Sequence, residues 1–170
     1  MPKMAKICYF CLKSGILCPK CQEKVRSGEV TELDLKVGRL LLSLEKDFPT
    51  LQDVELVKAI DIDDILVIIV GRGDMPRMLS YGGKIVKALE KKIGKRVRIL
   101  EQGSSDRKFL EDLFAPLDVL TINRIWLPDG TMETRVILRG RRRGLPIPIR
   151  MLREIAQKVR GMTLRVEFAR

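Results

Sequence analysis

The apolar positions of this chain fall into two long stretches that share one succession of helix and strand patterns. The first stretch opens with a capping box formed by Thr31 and Asp34, and apolar residues then recur at a helical period until Pro49. β-Branched runs predict two strands, followed by a short helix with Asp74 as its N-cap, a longer helix closed by Gly94, and a third strand. The predicted strands cover residues 53–60, 64–70 and 96–100, and the short helix covers residues 75–79.

The same order returns in the second half of the chain. After a joint at Gly103, the pattern predicts a helix, two strands joined by a hairpin at Pro128, Asp129 and Gly130, a second helix and a last strand. The two stretches are offset by roughly seventy residues, which indicates an internal duplication. We therefore predict an α+β protein in three parts, residues 1–29, 30–102 and 103–170. The predicted elements of the last part cover residues 107–114, 119–127, 131–138, 149–159 and 163–168.

Four cysteines precede both stretches, in two pairs that each have two intervening residues. Two such pairs close a tetrahedral all-thiolate shell of the kind that zinc prefers, and the chain has no histidine to offer a mixed shell. Gly15 and Pro19 favour two tight knuckles joined by a short hairpin. Iron–sulfur and disulfide pairing stay open as alternatives, although no secretory signal precedes the cysteines. We predict a small ribbon or knuckle that holds one structural Zn²⁺ through Cys8, Cys11, Cys18 and Cys21.

The charge of the chain is positive and unevenly spread. There are 33 Lys and Arg against 22 Asp and Glu, which gives +11 overall, and the three parts carry +4, +1 and +6 in order. A basic chain of this kind is expected to bind a polyanion, RNA or DNA first and an anionic membrane second. Solvated helix faces explain some of these cations equally well, for example those between Lys87 and Lys92.

A glycine-containing loop between two predicted helices is the strongest candidate for phosphate contact. It reads Ser80, Tyr81, Gly82 and Gly83, and a backbone free of side chains at this point can present amide groups to a phosphate. A plain turn is an equally good interpretation of a Gly-Gly pair alone. The cations expected to assist the loop are Arg72, Arg77, Lys84 and Lys87.

The order helix, strand, strand, helix, glycine-containing loop, helix, strand resembles a type II KH domain, in which a GxxG loop clamps nucleic-acid backbone. Residues 70–100 resemble the first KH domain of NusA-like proteins, especially the short archaeal form. Residues 109–120, with the Pro-Asp-Gly turn and residues 143–147, resemble the second domain of that family. The resemblance covers about residues 30–168 and implies an RNA-binding factor in transcription elongation or termination, contacting nascent RNA, or on the ribosome.

The chain departs from the family pattern in both loops. Ser80 stands where the first loop begins with glycine, so this GxxG is degenerate, although a serine hydroxyl can still donate to a phosphate. In the second unit, the matching positions run from Pro148 to Met151 without glycine, and proline removes an amide donor. Two roles therefore stay open for the second unit: a structural or protein-binding domain, or phosphate contact. The residues expected for the latter are Arg141, Arg142, Arg143 and Arg150.

The sequence predicts a binder and not an enzyme. Without histidine there is no Ser/His or Cys/His pair, and no nucleotide-binding glycine motif is present. A metal-dependent nuclease using Asp63 and Asp64 lacks a supporting carboxylate motif, and a turn between strands explains those residues better. We expect a cytoplasmic RNA-binding factor with no membrane or small-molecule partner. The alternative is a structural component of a ribosomal or polymerase complex. Tyr81 is a candidate for base stacking, whereas Trp126 is expected in the core.

Overall fold

The computed structural model describes residues 3–169 and divides the chain into two compact units, residues 1–103 and 104–170. Both units are mixed α+β, with a four-stranded sheet in the first and a three-stranded sheet in the second. Among the described residues, no helix is both long and apolar enough to cross a bilayer.

The first unit contains a helical N-terminal segment and one sheet. Its strands are β1 (Lys3–Met4), β2 (Glu55–Ile62), β3 (Ile65–Val70) and β4 (Arg96–Glu101). Its helices are α1 (Tyr9–Ser14), α2 (Pro19–Arg26), α3 (Glu32–Leu44), α4 (Met75–Met78) and α5 (Lys84–Ile93), with a 3-10 turn at Pro49–Asp53.

The sheet of the first unit has the order β1-β2-β3-β4. β2 and β3 pair antiparallel across a turn at Asp63, while β3 and β4 pair in parallel, with Ile68 opposite Ile99. β3 is buried along nearly its whole length, as expected for an aliphatic strand with neighbours on both sides. The short β1 pairs in parallel with β2 and covers only Glu55 and Leu56.

Helix α3 is fixed to the sheet through the carboxylate of Asp34. The Asp34 side chain accepts from the Thr31 amide at 2.9 Å, and the Asp34 amide donates to the Thr31 hydroxyl at 3.1 Å, which confirms the predicted capping box. The same carboxylate, only 1% exposed, accepts from the amide of Ala59 on β2 at 2.7 Å. Asp34 therefore joins the start of α3 to the edge of β2 that β1 leaves uncovered.

The second unit contains one hairpin, one parallel strand and two helices. These are α6 (Asp106–Phe114), β5 (Asp118–Trp126), β6 (Met132–Arg139), α7 (Ile149–Arg160) and β7 (Leu164–Ala169). The sheet has the order β5-β6-β7, with β5 and β6 antiparallel and β6 and β7 parallel. Phe109, Phe114 and Leu152 are buried beside the strands, with Val136 at the centre of the sheet.

The order of elements agrees with the sequence, and two local predictions are wrong. Trp126 is 72% exposed and not in the core, because it lies at the hairpin end of β5. On the facing strand β6, the side chains become more exposed toward this end, from Val136 at 0% to Met132, opposite Trp126, at 38%. Asp74 is the N-cap residue of α4 as predicted, but its carboxylate accepts from the Glu55 amide at 2.9 Å and forms no side-chain cap. The cysteine segment is not a β-ribbon, because each cysteine pair opens a short helix, α1 or α2.

Candidate metal centre and nucleic-acid surface

The four cysteines lie at equivalent places in two successive helices. Cys8 and Cys18 are the N-cap residues of α1 and α2, and Cys11 and Cys21 lie one turn further on. Gly15 ends α1 with a left-handed φ of 81°, and Pro19 occupies the first turn of α2, a position where its missing amide costs no hydrogen bond. This arrangement brings all four sulfur atoms within 4.8 Å of one another.

Backbone amides point at the sulfur atoms across the two pairs. The Cys8 amide lies 3.4 Å from the Cys21 sulfur, and the Cys18 amide lies 3.2 Å from the Cys11 sulfur. An amide of the same kind, from Cys21, lowers the pKa of the Cys18 thiol to about 7. These donors favour the thiolate form that a metal requires.

The two buried thiols show the opposite tendency. Burial raises the pKa of Cys21. The Cys18 amide lowers the pKa of Cys11, but burial and the neighbouring Cys18 and Cys21 thiols outweigh it, so that the Cys11 pKa lies above its ordinary value. Ionisation of Cys11 and Cys21 is thus unfavourable in the absence of a metal, and a divalent cation would favour their thiolate forms.

The donor set fits a four-coordinate metal. In a tetrahedral zinc–thiolate centre, Zn–S bonds of 2.3 Å place sulfur atoms about 3.8 Å apart, so the observed spacing needs about 1 Å of closure at most. Cys11 and Cys21 are 3% and 1% exposed, Cys18 is partly buried and Cys8 is exposed. Four protein ligands leave no open position, which is typical of a structural and not a catalytic metal.

The cysteine segment is held tightly against α3. A Cβ placed on Gly38 of α3 would lie 2.8 Å from the Met4 sulfur and 3.1 Å from Leu12 of α1. Arg39 donates from Nε to the Leu12 carbonyl at 3.3 Å. Cys11, Leu12 and Cys21 belong to the same buried cluster as the sheet, so the core of the first unit fixes one thiol of each cysteine pair.

The loop between α4 and α5 has an unusual backbone. Tyr81, Gly82 and Gly83 follow one another with left-handed φ values of 61°, 63° and 82°. Only glycine adopts this conformation without cost, and for tyrosine the cost is roughly 1–2 kcal/mol. A Cβ on either glycine would meet nothing within 4 Å, so the glycines serve the backbone and leave open space above the loop.

Tyr81 and Ser80 are held by neighbouring residues. The Tyr81 ring, 42% exposed, packs against Phe48 with the ring centroids 5.3 Å apart. The Ser80 hydroxyl donates to the Pro76 carbonyl at 2.9 Å, so donation from Ser80 to a phosphate would require this bond to break. Thr50 donates to the carbonyl of Arg77 at 3.2 Å and so connects the preceding helix to the 3-10 turn.

The predicted cations near the loop have different surroundings. Arg72, Lys84 and Lys87 are exposed, and Lys84 and Lys87 lie on one face of α5 with Lys91, at positions three and four residues apart. Arg77 donates to the Asp74 carboxylate at 2.8 Å and is only partly available. Lys91 was not among the predicted site residues, although helical spacing from Lys84 places it on the same face.

The arginines of the second unit lie on a tight, exposed loop. Arg141, Arg142 and Arg143 are exposed, and a 3-10 turn at Arg142–Gly144 closes with hydrogen bonds from Gly144 to Arg141 and from Leu145 to Arg142. Arg150, also exposed, lies in the first turn of α7. The positions that match the first loop begin α7 instead, since Pro148 is its N-cap, and none of residues 145–151 has a positive φ.

The acidic residues considered for Mg²⁺ serve the fold. Asp63 and Asp64 form the turn between β2 and β3, with Asp63 at a φ of 52°. Asp61 accepts from Lys95 at 2.5 Å and is engaged in an ion pair. Among the described residues, the four cysteines are the group whose ligand atoms could hold a metal ion.

The chain is similar in sequence to two archaeal proteins. It is 31% identical over 80 residues to "Probable transcription termination protein NusA" from Methanocaldococcus jannaschii, covering 47% of this chain and 42% of that protein. A protein of the same name from Methanococcus vannielii is 25% identical over 72 residues, which is 42% of each chain. The chain thus spans less than half the length of these curated relatives. No protein-family model matches it.

Among solved structures, the chain is similar to one named "Crystal structure of APE1850". The TM-score is 0.49 at 18% sequence identity, and the superposition covers 75% of this chain and 96% of the other. The sequence matches support a distant relationship to archaeal NusA-like proteins.

Proposed function

We propose that this chain is a non-enzymatic RNA-binding factor of the NusA-like type. It combines a zinc module, residues 1–29, with two KH-like domains, residues 30–102 and 103–170, and acts on nascent RNA during transcription elongation or termination. The names of its two archaeal relatives refer to transcription termination, which favours this setting over the ribosome.

The loop at Tyr81, Gly82 and Gly83 is the observation that carries the proposal. Three consecutive residues are left-handed, and the one that is not glycine, Tyr81, carries a cost of roughly 1–2 kcal/mol. Strained backbone of this kind clusters at ligand sites. Successive amides in such a turn form a concave site for anions, and the space in front of both glycines is open. The loop joins two helices in the element order of a KH domain, in which the GxxG loop clamps nucleic-acid backbone.

The surrounding charge suits a phosphate chain. Arg72 precedes the loop, and Lys84, Lys87 and Lys91 line one exposed face of α5 directly after it. An RNA strand that crosses the loop can continue along this face of α5, where the lysines lie within reach of successive phosphates. The exposed ring of Tyr81 lies at the start of that path and offers a surface for one base.

The second unit takes a different role in the same binding. Its matching segment starts a helix at Pro148 and has no left-handed turn, so it cannot clamp backbone in the manner of the first loop. Arg141, Arg142 and Arg143 project from a loop stiffened by its own hydrogen bonds. Arginine forks in such a loop pair with phosphate oxygens in a bidentate manner.

The metal in this account is one structural zinc ion. The Cys8, Cys11, Cys18 and Cys21 sulfurs supply the complete shell, and the ion would keep α1 and α2 in place beside α3. Zinc is preferred to an iron–sulfur cluster because a cluster needs room for several metal atoms between sulfur atoms that here lie within 4.8 Å of each other. Native mass spectrometry before and after thiol modification would show one zinc ion lost per chain.

Crosslinking in cells followed by sequencing of the attached RNA tests the function. We expect nascent transcripts, with crosslinks that map to the peptide containing Tyr81. Crosslinks to ribosomal RNA would still support the RNA-binding function but would place it on the ribosome. Recovery of polymerase or ribosomal proteins without crosslinked RNA would contradict the proposal and favour a structural component of such a complex.

A further inference from the structure

Helix α1 carries aromatic residues on the side that faces solvent. Phe10 is 76% exposed and Tyr9 is 36% exposed, whereas the buried side of the same helix holds Cys11 and Leu12. With about 100° per residue, Tyr9, Phe10 and Lys13 share one side of the helix, which we term the aromatic face. A short surface helix is expected to have polar residues here, so the aromatic pair has no explanation in the packing of the unit.

The exposure is concentrated in this part of the molecule. Seven large apolar side chains are exposed among the described residues, and three of them lie within residues 9–16: Tyr9, Phe10 and Ile16. Single exposed apolar residues are ordinary, but a cluster on a short segment marks a contact surface.

The charged side chains of the cysteine segment that carries the aromatic face, residues 8–21, are all basic. Lys13 lies over the Tyr9 ring with its Nζ 5.9 Å from the ring centroid, and Lys20 is exposed in the first turn of α2. Residues 8–21 contain no Asp or Glu that would repel a phosphate. Aromatic rings flanked by lysines are complementary to a chain of bases and phosphates.

The aromatic face is presented on a rigid support. The contact of Gly38 with Leu12 fixes α1 against α3, and the buried Cys11 anchors the first turn. Because the helix backbone is already fixed, only the side chain of Phe10 has to be ordered when a base stacks on its ring.

We propose that the aromatic face binds an unpaired RNA base by stacking on Phe10, with Lys13 and Lys20 on the adjacent phosphates. This inference rests on the proposed RNA-binding function and adds a second contact, separate from the loop at Gly82 and Gly83. Stacking tolerates any base, so the contact extends the length of bound strand without selecting a sequence.

The test compares a short oligouridylate with an abasic oligonucleotide that has the same number of phosphates. We expect the wild-type chain to prefer the oligouridylate and Phe10→Ala to lose at least about five-fold of that preference, with little change in binding to the abasic chain. Phe10→Trp should restore the preference. Met132→Ala, which removes an exposed apolar side chain of the second unit, is the matched control.

The outcomes separate this inference from the function on which it rests. If neither oligonucleotide binds the wild-type chain, both fail. If Gly83→Asp weakens both oligonucleotides while Phe10→Ala leaves the preference unchanged, the function stands and the stacking inference is overturned. Loss of self-association in Phe10→Ala by sedimentation, without a change in the preference, would assign the face to a second copy of the chain and overturn it equally.

The two lysines give an independent readout. For single strands, each phosphate contact contributes about 0.7 to the slope of log affinity against log salt concentration. Lys13→Gln and Lys20→Gln should each reduce the slope by about this amount, whereas Phe10→Ala should leave it unchanged. An unchanged slope in both lysine variants would overturn the phosphate part of the inference.

Discussion

One carboxylate, that of Asp34, satisfies three donors that come from two different elements. It accepts from the amide that begins α3, from the amide of Ala59 on β2 at 2.7 Å, and from Lys58 at 3.1 Å. Ala59 is itself 3% exposed, so its amide has no access to water as a substitute. The sequence shows the capping box, but the link to β2 spans 25 residues and depends on the packing of the helix on the sheet.

Asp34→Ala is therefore expected to destabilise the first unit strongly. The loss of the cap and an unsatisfied buried amide together predict a decrease of about 2–4 kcal/mol in the free energy of unfolding, measured by urea denaturation with circular dichroism. Asp61→Ala is the control, since it removes an exposed carboxylate paired with Lys95 and should cost less than about 1 kcal/mol. Equal effects of both variants would contradict this role of Asp34.

Cys18 is the thiol that should ionise first when the metal is absent. The amide of Cys21 lowers its pKa to about 7 from an ordinary value of 9.0, and Cys18 is only partly buried. A lowered pKa means that the folded state favours the thiolate. This contribution to stability is complete above the ordinary pKa and is lost as the pH falls through about 7.

In the metal-free chain, iodoacetamide should accordingly modify Cys18 before Cys11 and Cys21, with a half-maximal rate near pH 7. Peptide mapping by mass spectrometry at a series of pH values measures the order. Zinc added beforehand should protect all four positions. Modification of the buried Cys21 ahead of Cys18 would show that the thiol environment differs from the one described.

At the scale of elements, the close approach of α1 to α3 depends on Gly38. Glycine within a helix costs about 1 kcal/mol relative to alanine, and here it permits contact with Met4 and Leu12 at distances that a Cβ would violate. The helix α3 thus provides a site of fixed shape for the cysteine segment.

Gly38→Val should loosen this contact and shorten the lifetime of bound zinc. Overpacking of this kind costs about 1–3 kcal/mol, and the variant should release zinc to a chelator several-fold faster than the wild type. Lys36→Val places the same residue at an exposed position of the same helix and should leave release unchanged. The contact would have no part in holding the metal if both variants released zinc at the wild-type rate.

Local signals in the sequence predicted most elements because those signals act over a few residues. The capping box at Thr31, the glycine that ends α5 and the Pro-Asp-Gly hairpin each determine a boundary without help from distant residues. The cysteine spacing predicts a small ribbon or knuckle, because ligand spacing alone does not specify the backbone between the ligands. Gly15 and Pro19, which the sequence pattern assigns to knuckles, instead end α1 and begin α2.

The sites were less accessible to sequence reasoning than the elements. The alternation of apolar and polar residues along β5 predicts Trp126 on the buried face of the sheet. It does not show how far along the strand the helices cover that face, and Trp126 near the hairpin turn is exposed. The exposure of Phe10 was missed for a similar reason, since an aromatic residue between two cysteines has no periodic context. The Ser80 hydroxyl was expected on phosphate, and its bond to Pro76 follows from the helix that precedes it.

At the scale of the whole molecule, the positive charge is divided between two units that grip RNA differently in this account. Three arginines of the second unit should contribute to salt dependence without a glycine loop. Replacing Arg141, Arg142 and Arg143 with serine should lower the salt slope for single-stranded RNA by up to about 2, with each phosphate contact worth about 0.7. A slope equal to that of the wild-type chain would assign these exposed residues to solvent or to a protein partner.

The central claim is that RNA backbone lies against the loop at Gly82 and Gly83. Gly83→Asp places a side chain and a negative charge in the open space above the loop. Gly94→Asp is the matched control: it has a similar φ, 79° against 82°, the same charge change and open space around it, at the other end of α5. Both variants therefore carry the same backbone strain.

Fluorescence anisotropy with labelled single-stranded RNA, on variants verified as folded by circular dichroism, is the most direct measurement. We predict that Gly83→Asp weakens binding by about ten-fold or more, with the loss shrinking at high salt, while Gly94→Asp stays within about three-fold of the wild-type affinity. Equal affinities of the wild-type chain and Gly83→Asp would contradict the account.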